Sequence, residues 1–197
     1  MFSIIIFLMV YLICGINPAI IISKKVIGTD IRKVGSGNAG TTNAIRTMGK
    51  GWGALVFILD ILKVIVSYSL MFVVASVFGE SVGVGTKSIF QVATILGHCY
   101  PVYYGFKGGK GVAAFLVAAL LIAPKIAIVC IVVGVIVILV GKMVSLGSVC
   151  GVILFDIMIL VMNTGYILAT IIASAVIIYK HRANIRRIIN KEENKLF

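Results

Sequence analysis

Two polar loops combine glycine, hydroxyl, amide and cationic residues in a pattern that is typical of phosphate binding. The first, residues 35–46, holds three glycines, two asparagines, two threonines, one serine and one arginine. Glycine lets backbone N–H groups approach an anion, hydroxyls and amides donate hydrogen bonds, and arginine holds a phosphate with two parallel donors. We therefore predict a phosphate site with these ligands: Ser36, Asn38, Thr41, Asn43 and Arg46.

The first loop also matches the letters of a dinucleotide-binding glycine motif, and Asp60 follows its last glycine by 20 residues. That motif requires a preceding strand and a βαβ unit. Here an apolar run of membrane-spanning length precedes the loop, and Asp60 lies within another such run, so the context excludes dinucleotide binding. A flexible interhelical loop is the remaining alternative, but such a loop does not need so many donors.

The second loop, within residues 97–112, ends in Lys-Gly-Gly-Lys-Gly before an apolar stretch. It fails the P-loop pattern because Tyr104 stands where that pattern has its first glycine and Gly111 replaces its serine or threonine. Two ammonium groups, bare backbone and a helix N-terminus still suit an anion. Lysines that reach from the bilayer edge towards water are the alternative, which does not require three interleaved glycines. The predicted ligands are Lys107, Gly108, Gly109, Lys110 and Gly111.

Both histidines of the chain, His98 and His181, border these polar segments. Each is either a site residue or an ordinary interfacial hydrogen-bonding residue. The basic tail that begins at His181 is either part of the site or a juxtamembrane helix that binds anionic lipid, at about 1 kcal/mol per cation. Ser145 begins an apolar segment, where its hydroxyl serves the site or caps a helix.

The elements that position these loops are membrane helices. The chain is 61% hydrophobic and only 12% charged, with mean hydropathy +1.18, whereas about a quarter of the residues of a soluble domain are charged. The net charge of +12 is clustered between apolar runs, which disfavours nucleic-acid binding. Four cysteines at least 20 residues apart form no zinc or redox pattern, so we expect no metal and no cofactor.

We predict an all-α membrane protein of about seven transmembrane helices, forming one polytopic domain over residues 1–197. Several of the apolar segments are shorter than the roughly 20 residues of a straight crossing, so five or six crossings are the alternatives. The predicted segments are 2–22, 53–78, 88–104, 112–123, 126–140, 144–162 and 166–179.

Charge distribution predicts the orientation, because cytoplasmic loops are rich in lysine and arginine. With the N-terminus outside and the C-terminus cytoplasmic, fifteen of the 18 basic residues are cytoplasmic, and only Lys87 and Lys125 lie on the outer side. The cytoplasmic loops then fall near residues 23–52, 97–111 and 180–197. Lys63 lies inside a span, three residues after Asp60, which suits an ion pair on one helix face. Asp156 has no evident partner.

Residues 35–46, 97–113 and 181–184 closely resemble, in order and spacing, the three signature motifs of the bacterial acyl-phosphate:glycerol-3-phosphate acyltransferases, the PlsY family. The resemblance implies a seven-helix enzyme of the bacterial inner membrane whose active site faces the cytoplasm, and we expect a monomer. The implied reaction moves a fatty acyl group from acyl phosphate to the 1-hydroxyl of sn-glycerol 3-phosphate, giving lysophosphatidic acid and inorganic phosphate. Departures are Ala183 in place of a common glutamate, Val64 and Val117 in place of common glycines, and a tail that keeps only Glu193 in register.

This reaction assigns roles to the candidate residues. We expect residues 107–111 to hold the acyl phosphate, with Lys110 as a catalytic cation, and Ser36, Asn43 and Arg46 to hold glycerol 3-phosphate. A phosphate oxygen of a substrate accepts the hydroxyl proton, since no carboxylate base is evident. The remaining predicted catalytic residues, which orient groups or relay protons, are His98, His181 and Asn184, and the remaining predicted binding residues are Ser145 and Glu193.

Three other functions are less consistent with these residues. An acyltransferase that uses acyl-CoA is expected to have an aspartate five residues after a histidine, but Tyr103 and Arg186 occupy those positions. A membrane transporter of phosphate or organic phosphates is expected to have inverted repeats and charges at the bilayer midplane, and no repeat is evident. A purely structural lipid-binding protein does not need the glycine loops.

Overall fold

The computed structural model describes residues 1–162 and 164–195, and this part of the chain is helical without any strand. Residues 196 and 197, which end the predicted tail segment, lie outside the described residues. The helices are α1 (Phe2–Gly15), α2 (Pro18–Val26), α3 (Thr41–Met48), α4 (Lys50–Val77), α5 (Val84–Cys99), α6 (Val112–Ile122), α7 (Pro124–Gly141), α8 (Val144–Val161), α9 (Ile167–Lys180) and α10 (Arg182–Ile189).

Glycine and proline set several helix boundaries. Pro18 is the first residue of α2, and the side chain of Asn17 caps that helix by accepting a hydrogen bond from the backbone N–H of Ile20 at 3.0 Å. Proline has no N–H and its φ angle is already helical, so it is well tolerated at this position. Pro101 instead ends a helix, because a proline disfavours helical backbone in the residue that precedes it. For this reason α5 ends at Cys99, short of the predicted end at residue 104.

The membrane character of the chain is confirmed. Among the described residues, four stretches are long and apolar enough to cross a bilayer: Phe2–Val26, Lys50–Val77, Pro124–Gly141 and Val144–Val161. Val112–Ile122 and Ile167–Lys180 are shorter apolar helices. Each of the seven predicted segments coincides with one or two helices, but several helices are below the length of a straight crossing. The count of seven spans therefore stays a prediction.

Close helix packing depends on small residues. A Cβ on Gly147 of α8 would collide with Ile138 of α7 and with the backbone oxygen of Gly134. A Cβ on Gly97 of α5 would likewise collide with the backbone oxygen of Tyr11 in α1. Small residues let helices approach closely in membranes, where packing rather than hydrophobic exclusion drives association.

Two intramembrane polar groups find partners on neighbouring helices. Ser174 of α9 donates a hydrogen bond to the carboxyl group of Asp156 in α8 at 2.7 Å. Thr170 of α9 donates to Gln91 of α5 at 3.2 Å. Unsatisfied polar groups are costly in lipid, so both contacts hold α9 in register against its neighbours. The first supplies the partner of Asp156 that the sequence pattern did not reveal.

Candidate functional site

A cavity of about 450 Å³ lies where the three polar segments meet. It brings together most of the residues predicted from the sequence, although they are spread over more than 150 positions. The predicted residues that line it are Ser36, Asn38, Thr41, Asn43, Arg46, His98, Lys110, Gly111, Ser145, His181, Asn184 and Glu193. The cavity lining, as far as the chain is described, does not include Lys107, Gly108 and Gly109, whose assignment as substrate ligands stays a prediction.

The cavity continues as an apolar slot between α6, α7 and α8. Aromatic and aliphatic side chains line it, and none of them stood out in the sequence, because apolar residues in apolar helices give no local signal. Its walls include Phe115, Leu116 and Ala119 from α6, Ala127, Cys130 and Ile131 from α7, and Val152 and Phe155 from α8. A polar head joined to such a slot suits an amphiphile with a charged group at one end.

A chain of hydrogen bonds links the second loop to the tail. The Lys110 ammonium donates to the Oδ1 atom of Asn184 at 2.6 Å, and Nδ2 of Asn184 donates to Oε1 of Glu193 at 2.6 Å. Ser145 donates to the same oxygen at 2.7 Å, and Arg187 donates to the other carboxylate oxygen at 2.7 Å. Glu193 is thus satisfied by three donors, and its carboxylate holds Asn184 and Ser145 in place beside Lys110.

Burial and neighbouring charges change the ionisation of this network. Burial lowers the pKa of the Lys110 ammonium to about 8 against the opposing charge of the Glu193 carboxylate, and the positive charges of Arg187 and Arg46 add to the lowering. Burial also lowers the pKa of His181, which therefore favours the neutral imidazole. Burial alone would raise the pKa of Glu193, but the hydrogen bonds from Ser145, Asn184 and Arg187 outweigh it and keep this carboxyl ionised.

The first loop is organised around Asn43, which is fully buried. Its Oδ1 atom accepts the backbone N–H of Ser36 at 2.8 Å, and its Nδ2 atom donates to the carbonyls of Ile31 and Val34 at 3.1 and 3.0 Å. This side chain therefore orders the loop, and its assignment as a substrate ligand stays a prediction. The Thr41 hydroxyl, in contrast, is buried without a hydrogen-bond partner among the described residues and faces the cavity as an available donor.

The glycines of the second loop allow it to pack against the end of α5. The N–H of Gly108 donates to the carbonyl of Cys99 at 3.2 Å, and the N–H of Gly109 donates to that of His98 at 3.1 Å. These two N–H groups are therefore used within the protein. The N–H groups of the first turn of α6 have no intrahelical acceptor and suit an anion. That helix starts at Val112, and its first two residues line the cavity.

Arg32 joins the two loops, although in the sequence it is only one of several basic residues between apolar runs. Its guanidinium pairs with Asp30, with Nη2 and Oδ2 2.7 Å apart. Its Nη1 atom also donates to the carbonyl of Tyr104 at 2.8 Å and to that of Lys107 at 2.9 Å. The fork of donors on arginine permits this simultaneous bonding, so Arg32 fixes the second loop relative to the first.

The fold and the cavity together define a class of protein: a helical membrane protein with a cationic, polar pocket at the head of an apolar slot. A family model for glycerol-3-phosphate acyltransferase matches residues 4–191. A glycerol-3-phosphate acyltransferase of Clostridioides difficile is 42% identical over 198 residues, covering 98% of this chain and 95% of that one. One of Aquifex aeolicus is 37% identical and covers 94% of each chain. The chain therefore belongs to the glycerol-3-phosphate acyltransferase family.

The fold matches solved structures of the same kind. Two crystal structures of PlsY, an integral membrane glycerol 3-phosphate acyltransferase, match with TM-scores of 0.85 and 0.82 at 34% and 32% identity. Each match covers 98% of this chain and 94% of the PlsY chain; one structure is the glycerol 3-phosphate form and the other the lysophosphatidic acid form. The predicted family and the predicted acyltransferase activity are confirmed, and the transporter alternative has no support.

Proposed function

We propose that this enzyme transfers a fatty acyl group from acyl phosphate to the 1-hydroxyl of sn-glycerol 3-phosphate, giving lysophosphatidic acid and inorganic phosphate. The observation that supports this most is the joining of a cationic head to an apolar slot in one cavity. An acyl phosphate has the same two parts, an anionic head and an alkyl chain. The head region also offers cations from two separate loops, which suits two phosphates held side by side.

The proposed chemistry is a single displacement. The glycerol hydroxyl oxygen attacks the acyl carbonyl carbon, a new ester bond forms, and the bond from that carbon to the phosphate oxygen breaks. The hydroxyl proton passes to a phosphate oxygen of a substrate, and inorganic phosphate leaves. Because phosphate is a good leaving group, the protein contributes mainly positioning and charge neutralisation.

Each substrate has its own group of residues in this proposal. The acyl phosphate is held by Lys110 and the N-terminus of α6, with its chain in the slot. Glycerol 3-phosphate is held by Ser36, Thr41 and Arg46, while Asn43 keeps their loop in shape. In the network that contains Lys110, Glu193 orients Asn184 and Ser145.

The enzyme acts as a monomer in the bacterial inner membrane, with its N-terminus outside and its active site facing the cytoplasm. The bias of basic residues towards one side supports this orientation. The meeting of all three polar segments in one cavity also supports a single polar face. The orientation can be tested by introducing one cysteine near Lys87 or near Lys107 and treating intact cells with an impermeant thiol reagent. We expect labelling near Lys87 and not near Lys107. Labelling near Lys107 alone would contradict the proposal.

The donor can be tested directly with purified protein. Glycerol 3-phosphate is supplied with either palmitoyl phosphate or palmitoyl-CoA, and lysophosphatidic acid is measured. We expect product only from palmitoyl phosphate, because neither histidine is followed after five residues by the aspartate expected of acyltransferases that use acyl-CoA. Product from palmitoyl-CoA alone would contradict the proposed donor while leaving the family assignment intact.

Replacing Arg32 with lysine should lower kcat/KM roughly tenfold, because one lost hydrogen bond to a charged group costs about 1.5 kcal/mol. An ammonium cannot bond Asp30 and both loop carbonyls in the same geometry as the guanidinium fork. Steady-state kinetics in detergent measure the effect. Lys33→Arg makes the reverse exchange at the neighbouring exposed cation and is the control. Both changes keep the charge, so wild-type kcat/KM in Arg32→Lys, or an equal loss in the control, would contradict a link between the loops.

The lowered pKa of Lys110 predicts a pH-dependent KM. Only the protonated ammonium attracts a phosphate, so binding is strong below the pKa of about 8 and weakens above it. Above pH 8, the apparent KM for the substrate that Lys110 binds should therefore rise with pH, and the rise should approach roughly tenfold per pH unit. Lys110→Arg keeps its charge at all these pH values, so its KM should stay constant. A parallel rise in this variant would assign the titration to another group.

A further inference from the structure

A buried cluster of Asp60, Lys63 and His98 lies behind the polar end of the cavity. We propose that Lys63, held by Asp60, is a positioning residue that keeps the proton of His98 on Nε2. His98 then donates a hydrogen bond in the acyl-transfer site and does not serve as its base. This inference rests on the proposed function and adds a defined role for one histidine to it.

The geometry surrounds the Lys63 ammonium with acceptors. Its Nζ atom is 2.7 Å from Oδ1 of Asp60, one helical turn away on α4. It donates to the backbone carbonyl of Ile16 at 2.8 Å and lies 3.2 Å from Nδ1 of His98. The two charged side chains are only 7% and 2% exposed. An ammonium group has three hydrogens, and here three groups from α4, α5 and the end of α1 surround it.

Asp60 forms a buried ion pair with Lys63. Removing one partner of a buried ion pair is strongly destabilising, since it leaves an uncompensated charge. The contact is an ion pair rather than an aligned hydrogen bond, because Oδ1 of Asp60 has no hydrogen-bond donor at good geometry among the described residues. The same oxygen is 3.6 Å from Nδ1 of His98, too far for it to accept a hydrogen bond from that nitrogen.

These contacts determine the tautomer of His98. A charged lysine has only donors and no lone pair, so its contact with Nδ1 requires that this nitrogen accept. A neutral imidazole has one protonated nitrogen and one acceptor. The proton therefore resides on Nε2, and the single basic lone pair of the ring is already used by Lys63. A histidine in this state cannot take the hydroxyl proton from a substrate.

The protonated nitrogen faces the place where the loops meet. A Cβ added to Gly109 would collide with Nε2 of His98 and would lie 2.9 Å from the carbonyl oxygen of Ala39 in the first loop. His98 also lines the cavity. The Nε2–H group is therefore available to a phosphate or acyl oxygen bound between the loops, and the bare backbone of Gly109 leaves room for it.

The tautomer can be read by nitrogen NMR of the full chain labelled with ¹⁵N-histidine. Only two histidines are present, and a His181→Asn sample assigns the signals of His98. We expect an unprotonated Nδ1 and a protonated Nε2 in the wild type. In the charge-neutral double variant Asp60→Asn with Lys63→Met, the two tautomers should mix. Asp156→Asn, which alters a buried carboxyl bonded to Ser174 instead, should leave the His98 signals unchanged.

Kinetics separate positioning from a merely structural role. The double variant should lose roughly 10- to 100-fold in kcat, as for the outer partners that orient functional histidines, with little change in the KM for glycerol 3-phosphate. A proton on Nδ1 of the wild type would overturn the inference even if the variant does not fold. Product formation from acyl phosphate tests the proposed function separately, so either can fail while the other holds.

Discussion

Replacing Lys110 with alanine should lower kcat/KM by about 10³-fold, the upper range for removing one preorganised donor from a developing negative charge. The reason is its position: the ammonium lines the cavity and donates to Asn184 at 2.6 Å. Alanine removes the positive charge nearest the acyl phosphate in the proposed reaction. Turnover of palmitoyl phosphate and glycerol 3-phosphate by purified protein measures the loss.

Lys107→Ala is the matched control for this variant. It removes the same charge from the same loop, but the Lys107 side chain is exposed and does not line the cavity as described. We expect a much smaller loss of kcat/KM for this control than for Lys110→Ala, because only the Lys110 side chain lines the cavity as described. Similar losses in both variants would mean that net loop charge, and not a specific contact, governs the reaction. Near-normal turnover of Lys110→Ala would refute the assigned role, and thermal unfolding in detergent checks that both variants are folded.

Replacing Gly109 with alanine should lower kcat/KM by about 10²-fold, the loss expected when reacting groups are misplaced by about 1 Å. The added Cβ collides with Nε2 of His98 and approaches the carbonyl oxygen of Ala39. Neither neighbour can retreat easily, because His98 is buried and is held by Lys63. The loop must therefore shift away from the α5 end and carry Lys110 with it.

Gly51→Ala is the control for the change of residue type. Gly51 lies in the first turn of α4, and a Cβ there meets no atom within 4 Å. This variant should keep wild-type turnover and gain slightly in stability, since alanine is the better helix former. Gly109→Ala should show a small change in thermal unfolding beside its large kinetic loss. A large drop in stability with unchanged kcat/KM would contradict a role in the site.

The helices follow largely from local sequence, and the errors have local causes. A single predicted segment at residues 2–22 is divided into α1 and α2, because Asn17 and Pro18 end one helix and begin the next. The tyrosines after Pro101 are apolar enough to extend a hydropathy run, yet they lie in a 3-10 turn beyond α5. Hydropathy reports burial in lipid and does not report backbone geometry.

The roles within the site were only partly predictable. Loop composition indicated phosphate chemistry, because cations and bare backbone suit an anion in any fold. It did not separate Asn43, which orders its loop, from Thr41, whose hydroxyl has no partner among the described residues. It also missed Arg32, since its acceptors Tyr104 and Lys107 are more than 70 residues away along the chain.

The amino-acid order alone was sufficient for membrane insertion and for the anion-binding character of the polar loops. Insertion and anion binding both depend on the composition of short segments, and that composition does not change with the position of the segment in the fold. Only the tertiary structure decided which groups meet: Lys110 with Asn184, Ser145 with Glu193, and apolar faces of three helices around one slot. These contacts join residues 48 to 74 positions apart, and they exist because helix packing, not sequence spacing, sets the distances between side chains.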